Sequence, residues 1–548
     1  MSRTSVIAAG VAALLATSLV VAGAPGGTAL LSGTARASEP TEIGNCTTID
    51  QPGTYVLTSD VRQNGSDAAR NDTEHGVVYD PGSGSPCLNV TASDVVIRGQ
   101  GHSLTGNARQ PDSQYPEPIG TAPAGVRVHR GRSNVTVRNL TVRNFGTGVN
   151  YTGVSGGRID DVRATQGTWG IVLDSTDGVT VADSNASDQY FGGGLSVVDA
   201  EGTHVVDSKF LRDQYQSIRG SSEASVRVLR SPGTVLSGDR IARGDTLAIT
   251  ASPGTVLRDN RITQLSSFDD GMVALDDSSG TRLLGNNVTG SNDLIAIGLD
   301  SKSVVVRQND VAADGHRSRN WVEVHGPDAR VANNSLTDVS VGVKAGGANV
   351  TVADNNFDGP ERDPGVSIDG AADARVVGND VATTYSGVVL RGRVDGATVA
   401  HNVVTGSDRG VALESSRGNV TITENELRGN DRAVLAERSD SSGGGSSSGQ
   451  CDLGTEAVSL AVHDNVIEHS SAYAIDNELE QTIDATNNYW GAASGPSSAN
   501  DPDAPFADPV TGEPADGTGG AVSEGSTAGV SNVHFDPFLT NASAAADG

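Results

Sequence analysis

Short runs in which every second residue is apolar recur along most of the chain, and they return at a regular distance. Val350-Thr-Val352 and Val420-Thr-Ile422 are two of them, each bounded by Gly, Asn or Asp. Alternation this short predicts strands, not helices. One asparagine marks each return: Asn260, Asn286, Asn309, Asn334, Asn355, Asn379, Asn402 and Asn425, about 21–26 residues apart, which is the period of a solenoid. A glycine keeps the same beat in Gly342-Val-Lys-Ala, Gly365-Val-Ser-Ile, Gly387-Val-Val-Leu and Gly410-Val-Ala-Leu. A unit of about 22 residues with two or three short strands cannot bury its inner face alone, so it must stack on the next. The pattern predicts an all-β fold: a single right-handed parallel β-helix with coils of about 22–24 residues.

The repeat asparagines have two expected jobs. Each sits at a turn, where Asn tolerates left-handed backbone angles. Coils stacked about 4.8 Å apart also let the amides pair along the axis as a ladder. The register of the strands can be read as well. In Val273-Ala274-Leu275, Ile295-Ala296-Ile297, Val322-Glu323-Val324 and Val343-Lys344-Ala345 the outer residues point inward and the middle one outward.

Punctuation divides the chain. Residues 1–37 read as a secretory signal, with Arg3, an apolar run from Val6 to Ala24 and a small-x-small site at Ala35-Arg36-Ala37. An uncleaved N-terminal anchor is the alternative. Residues 38–105 form the N-terminal cap of the helix and 106–438 its coils. A Ser/Gly-rich insert follows at 439–455, then the last coils at 456–491. The segment 492–548 holds an insert expected to be mobile, a closing strand at Val533-His-Phe535 and the tail. Asn-x-Ser/Thr sequons are frequent, but Asn-Val-Thr is also how a turn asparagine opens a strand. Asn64 and Asn71, in a loop, are the better glycan acceptors.

Composition narrows the setting. Aromatic residues are 4% of the 548, which suits a slim Val/Ile/Leu/Ala core. The formal charge is −29, from 67 acidic and 38 basic residues, which argues against nucleic acid and anionic membranes as partners. Lysine occurs only at Lys209, Lys302 and Lys344. Acidic, lysine-poor composition suits a secreted or cell-surface protein adapted to high salt.

Both ends carry a family likeness. Cys46-Thr-Thr-Ile, Pro52-Gly-Thr-Tyr-Val-Leu, Cys87-Leu-Asn-Val and Asp94-Val-Val-Ile-Arg-Gly-Gln-Gly-His stand at the start; Asn487-Asn-Tyr-Trp-Gly491, Gly495-Pro496 and Val533-His-Phe-Asp-Pro-Phe-Leu539 stand at the end. Over about residues 43–539 these resemble the NosD-like, right-handed parallel β-helix repeat proteins of haloarchaeal secreted type. The resemblance implies the fold and says little of activity. Three cysteines in an exported chain invite one bridge. Cys46 and Cys87 share the cap and are paired in this reading, which leaves Cys451 as a thiol beside the Ser/Gly run.

Candidate chemistry lies on the outward side. Asp270 and Asp293 precede strands of neighbouring coils, and two carboxylates about 5–9 Å apart are what glycoside hydrolysis uses. They are the candidate catalytic pair. Glu323, Lys344, Trp321 and His316 are the candidate substrate-binding residues, with Lys344 set to hold an acidic sugar. Phe268-Asp-Asp-Gly, Asn292-Asp-Leu-Ile-Ala-Ile, Gly315-His316 and Lys344 resemble the order of polygalacturonase motifs. They depart from it at Asn292, where an acid belongs, and after His316, where Arg317 replaces glycine. Tyr190, Phe191, Tyr215 and Trp321 are rings on which a sugar could stack. Copper, suggested by the family name, finds scattered donors: ten histidines, and Met272 alone after the first methionine. Calcium on turn carboxylates is the one cofactor left open. The expected function is recognition of an extracellular or cell-surface polysaccharide, with processing of it left open. The alternatives are a polygalacturonase-like hydrolase or lyase, and a structural, adhesive or NosD-type accessory protein.

Overall fold

A computed structural model describes residues 39–63, 85–106, 123–189, 192–212, 224–242, 247–263, 272–290, 294–313, 322–339, 342–359, 363–382, 385–437, 458–498 and 504–545. The chain divides into two units, Met1–Glu39 and Pro40–Gly548, and every described strand lies in the second. The described residues are all-β apart from one short 3-10 turn at Ala542–Ala545. Neighbouring coils pair in parallel, each strand joined to its counterpart in the next coil. The fold is the right-handed parallel β-helix that the periodicity predicts.

Each coil carries three strands. In one of them these are Val273–Asp276, Arg282–Leu284 and Asn287–Gly290. We call the three stacked faces the front, flank and rear. The core is a continuous column of Val, Ile, Leu and Ala from Ile43 to Phe535. On the front strands Val273, Leu275, Ile295 and Ile297 are buried while Ala274 and Ala296 face outward, in the expected register.

The asparagine ladder lies at the corner between flank and rear. Asn260 donates from Nδ2 to Oδ1 of Asn286, and the same 2.9–3.0 Å bond repeats through Asn309, Asn334, Asn355, Asn379 and Asn402 to Asn425. It passes the insert unbroken, through Asn465 to Asn488. The two expected jobs are divided between neighbours. The left-handed residue is the one before each ladder asparagine: Asp259 (φ 55°), Asn333 (φ 56°), Glu424 (φ 55°). The asparagine itself is buried, and its amide serves the ladder and the carbonyls beside it.

A second ladder, of serines, runs along the front-to-flank corner. The N–H groups of Ser231, Ser252 and Ser278 donate to the hydroxyls of Ser252, Ser278 and Ser301 at 3.0–3.1 Å. Three residues on, Thr234, Thr255 and Thr281 cap the same turns by donating to the serine carbonyls. The recurring glycine marks the rear-to-front corner, where there is no room for a side chain. A Cβ on Gly342 would lie 2.3 Å from Phe357, and one on Gly387 2.3 Å from Val404.

At the N-terminal end Cys46 is disulfide-bonded to Cys87; Cys451 lies outside the described residues. At the other end, residues 504–530 are not the mobile insert expected from their composition. Phe506, Ala515 and Val522 are buried, and the buried Asp508 carboxylate gathers the segment. It accepts the N–H groups of Val510, Thr511, Phe535 and Asp536 at 2.7–3.1 Å and faces His534 Nδ1 at 3.0 Å. Burial pushes its pKa up, but these donors outweigh burial and hold the carboxyl below its usual range.

Candidate functional site

Rear strands lead to front strands through the most variable connections of the chain. Segments 213–223, 243–246, 264–271, 291–293 and 314–321 all occupy this place in the coil. The candidate pair Asp270 and Asp293 falls there, as do His316, Trp321, Tyr190, Phe191 and Tyr215, and all lie outside the described residues. The register of their strands does bear on the pair. Val273 is opposite Ile295, so Asp270 stands three residues before its strand and Asp293 two.

The other two candidates are on the front and are brought together. Glu323 and Lys344 are direct partners across neighbouring strands. Lys344 Nζ lies 3.1 Å from Glu323 Oε1, and His325 Nε2 lies 3.0 Å from the same oxygen. Lys344 therefore already has a carboxylate within its own protein.

From Arg227 onward the outward positions of the front face divide into two stretches. Arg227, Ala248, Ala274, Ala296, Glu323 and Lys344 follow one another in register, and each is partly exposed. Rungs are about 4.8 Å apart, so these six positions span roughly 24 Å, with three methyl groups as the floor between Arg227 and Glu323. Next come Ser367, Val389, Ala412 and Leu435, which also point outward yet are buried. Ion pairs flank and bridge this second stretch. Glu414 binds Arg391 and Arg409, both at 2.7 Å, and Arg409 also reaches Glu437 at 3.5 Å and lies 5.0 Å over the Tyr385 ring. Arg409 and Glu414 stand on opposite sides of Ala412, so their pairing passes across the apolar row and covers it with arginine stem. Beyond it Asp476, paired with Arg432 at 2.8 Å, has its pKa raised by burial against the pull of that arginine.

Sequence reasoning missed this division because alternation places a residue outward without saying whether anything covers it. The sequence does carry one signal on the front face outside both stretches. Arg127-Val-His129-Arg130-Gly-Arg132 is a dense basic run in a strongly acidic chain.

Two family models match. Residues 271–427 and 320–490 fit the right-handed beta helix region, and residues 105–298 fit the periplasmic copper-binding protein (NosD) model. The chain is a NosD-like right-handed β-helix repeat protein. No curated protein sequence matches it. Among solved structures, the NosD-like chain is similar to PfbA, a surface adhesin of Streptococcus pneumoniae, at 11% identity and TM-score 0.33, over 61% of this chain and 82% of that one. It is also similar to DFA-IIIase from Arthrobacter chlorophenolicus A6, at 13% identity and TM-score 0.34, over 60% and 71%. The tailspike of E. coli bacteriophage HK620 in complex with pentasaccharide matches at 9% identity and TM-score 0.31, over 78% and 69%. Likenesses this distant carry no argument about what the NosD-like chain binds.

The copper in the family description can be tested against the donors present. Within residues 105–298 the soft or imidazole donors are His129, His204 and Met272. His129 follows a front strand and is hydrogen-bonded to Asn89, His204 is on a flank strand, and Met272 is buried in the core. They do not converge, and among the described residues no group of three or more His, Cys, Asp or Glu is placed to hold a metal. The donor set does not fit copper.

The sequons have local structural roles. Asn134, Asn349 and Asn419 each donate from Nδ2 to an aspartate of the preceding coil: Asp94, Asp328 and Asp395, at 2.8–3.1 Å. Their amides brace turns. Asn64 and Asn71 lie outside the described residues.

Proposed function

We propose that this protein is an extracytoplasmic polysaccharide-recognition module that reads an extended chain along the open stretch of its front face. The observation that carries the reading is the contrast along that face. From Arg227 to Lys344 the outward row is smooth, partly exposed and edged by charge, whereas from Ser367 onward the same row is buried. A linear polymer repeats along its length as the coils do. A floor of small side chains admits it, and flanking polar groups fix its register. The periplasmic placement named in the matching family description and the predicted signal both fit an extracytoplasmic site of action.

The test is a glycan array in molar salt followed by titration of the best ligand. Ala274→Arg and Ala296→Arg fill the floor without touching the core, because both residues face outward. Either should weaken binding at least tenfold, about 1.4 kcal/mol, while leaving the melting temperature unchanged. If both variants bind as well as the wild type, the polymer does not lie on this face. Release of reducing ends in the same experiment would add the processing role of Asp270 and Asp293, and Asp293→Asn should then abolish release while sparing binding.

A further inference from the structure

The basic run at the N-terminal end of the front face lies outside the stretch from Arg227 to Lys344. Arg127 stands outward, in register with Asn89 on one side and Asn150 on the other. His129 follows two residues later, so its side chain leaves the same face about 6.8 Å further along. Arg130 is exposed beside it, and Arg132 occupies the turn into the flank strand Ser133–Arg143.

No carboxylate neutralises this group among the described residues: Arg127, Arg130 and Arg132 make no ion pair there. Some arginines of this acidic chain are matched, such as Arg230 by Asp199 at 2.6 Å and Arg391 by Glu414 at 2.7 Å; here three that are unpaired among the described residues stand within six residues. The hydrogen-bond network also leaves donors over. Asn89 donates from Nδ2 to Thr48 at 3.4 Å, so its Oδ1 is the acceptor 2.6 Å from His129 Nε2, which must carry the hydrogen. The Asn150 Oδ1 accepts from Thr152 at 3.1 Å, and its Nδ2 has no acceptor among the described residues. Arg132 Nε is buried and equally without a partner among them, an arrangement that costs free energy unless something supplies an acceptor.

The geometry points to a binding site for the anionic substituents of a glycan, carboxylate or sulfate, held by the Arg127 and Arg132 guanidiniums with the Asn150 amide. It rests on the polysaccharide reading and extends the polymer's path from the open floor toward the N-terminal end. Guanidinium forks match planar or tetrahedral oxyanions bidentately, which suits these residues better than Lys344, already paired with Glu323. The state of His129 agrees. Its pKa is lowered by partial burial and then by the charges of Arg127 and Arg132, so the imidazole takes up a proton less readily and the local field is positive.

The experiment compares a short uronic-acid oligosaccharide with its carboxyl-reduced, neutral counterpart by titration calorimetry on the full chain. Arg127→Gln/Arg132→Gln should lose at least tenfold in affinity for the acidic oligomer and keep its affinity for the neutral one. Arg127→Lys/Arg132→Lys, which retains charge without the fork, should fall between. Arg158→Gln, on the flank where Arg158 pairs with Asp160 at 2.6 Å, should bind like the wild type. If acidic and neutral oligomers bind alike and the double Gln variant matches the wild type, the anion site is overturned while polysaccharide recognition stands. If neither oligomer nor any other polysaccharide binds, both readings fall.

Discussion

Asn355→Leu will cost on the order of 5 kcal/mol and split the unfolding of the solenoid into two transitions. Asn355 is buried in the ladder. Its Nδ2 donates to Val331 O at 3.0 Å and to Asn379 Oδ1 at 2.9 Å, and its own Oδ1 accepts both the N–H and the Nδ2 of Asn334. Leucine keeps the branched shape in a larger, apolar side chain and offers none of this. Its presence leaves one N–H of the Asn334 amide and the backbone N–H of Asn334 without acceptors and takes a donor from the Val331 carbonyl, each orphan costing about 1–3 kcal/mol. Coils touch only their neighbours, so the damage stays at one interface and uncouples the coils on its two sides. Asn356→Ala is the control: Asn356 is exposed on the rear strand next door and should change stability by less than about 0.5 kcal/mol. Chemical denaturation followed by circular dichroism decides it. A single unshifted transition for Asn355→Leu would mean that apolar stacking alone carries the column.

The ladder was legible because asparagine recurring at the coil period implies amides stacked along the axis, and the inward and outward register followed from the same period; the period left two or three strands per coil, and the structure has three. The division of labour at the turn was not legible. In Glu424-Asn425 or His401-Asn402, sequence favours asparagine as the left-handed residue, yet the backbone gives that angle to its predecessor. The buried amide must reach the next coil, and that need outweighs local preference. The serine ladder was available in Ser231-Pro-Gly-Thr234, Ser252-Pro-Gly-Thr255 and Ser278-Ser-Gly-Thr281, though each reads as an ordinary turn until the hydroxyls are stacked.

The candidate site divides differently. Glu323 and Lys344 could be placed because both lie within strands, where period and register fix direction. Asp270, Asp293, His316 and Trp321 sit in connections of varying length, where no periodicity constrains position. The pairing of Lys344 with Glu323 was implicit in the same register that selected them: residues opposite each other on parallel strands meet first. The arginine network over Ala412 and Leu435 depends on side chains crossing between rows, which alternation cannot express.

Asp239→Asn will stabilise the protein at pH 8 and leave it nearly unchanged near pH 4. Asp239 occupies the rung before Asn260, where the ladder elsewhere has an amide. Its N–H donates to Asn260 Oδ1 at 2.9 Å, and its carboxyl oxygens accept the N–H groups of Ser208 at 2.8 Å and Ser237 at 3.0 Å. Burial raises its pKa from 3.8 to about 7; the two N–H donors oppose the rise and Asp207 adds to it. The folded state therefore holds a proton that the unfolded chain releases. Below about pH 4 both states are protonated and the residue carries no penalty. Between about 4 and 7 the unfolded state gains from ionising while the folded state does not, so stability falls as pH rises, and above 7 the loss is complete. Three pKa units correspond to roughly 4 kcal/mol, an upper figure for a group with some access to water. Asparagine is neutral at every pH and supplies the Nδ2 that continues the ladder toward Asn260. The other carboxylates titrate alike in both proteins, so the difference between wild-type and variant stability isolates this one. Denaturant midpoints measured from pH 4 to pH 8 should diverge steadily, the variant ending higher. Parallel curves would mean that Asp239 is ionised throughout and that its two N–H donors suffice to keep a charge inside the solenoid.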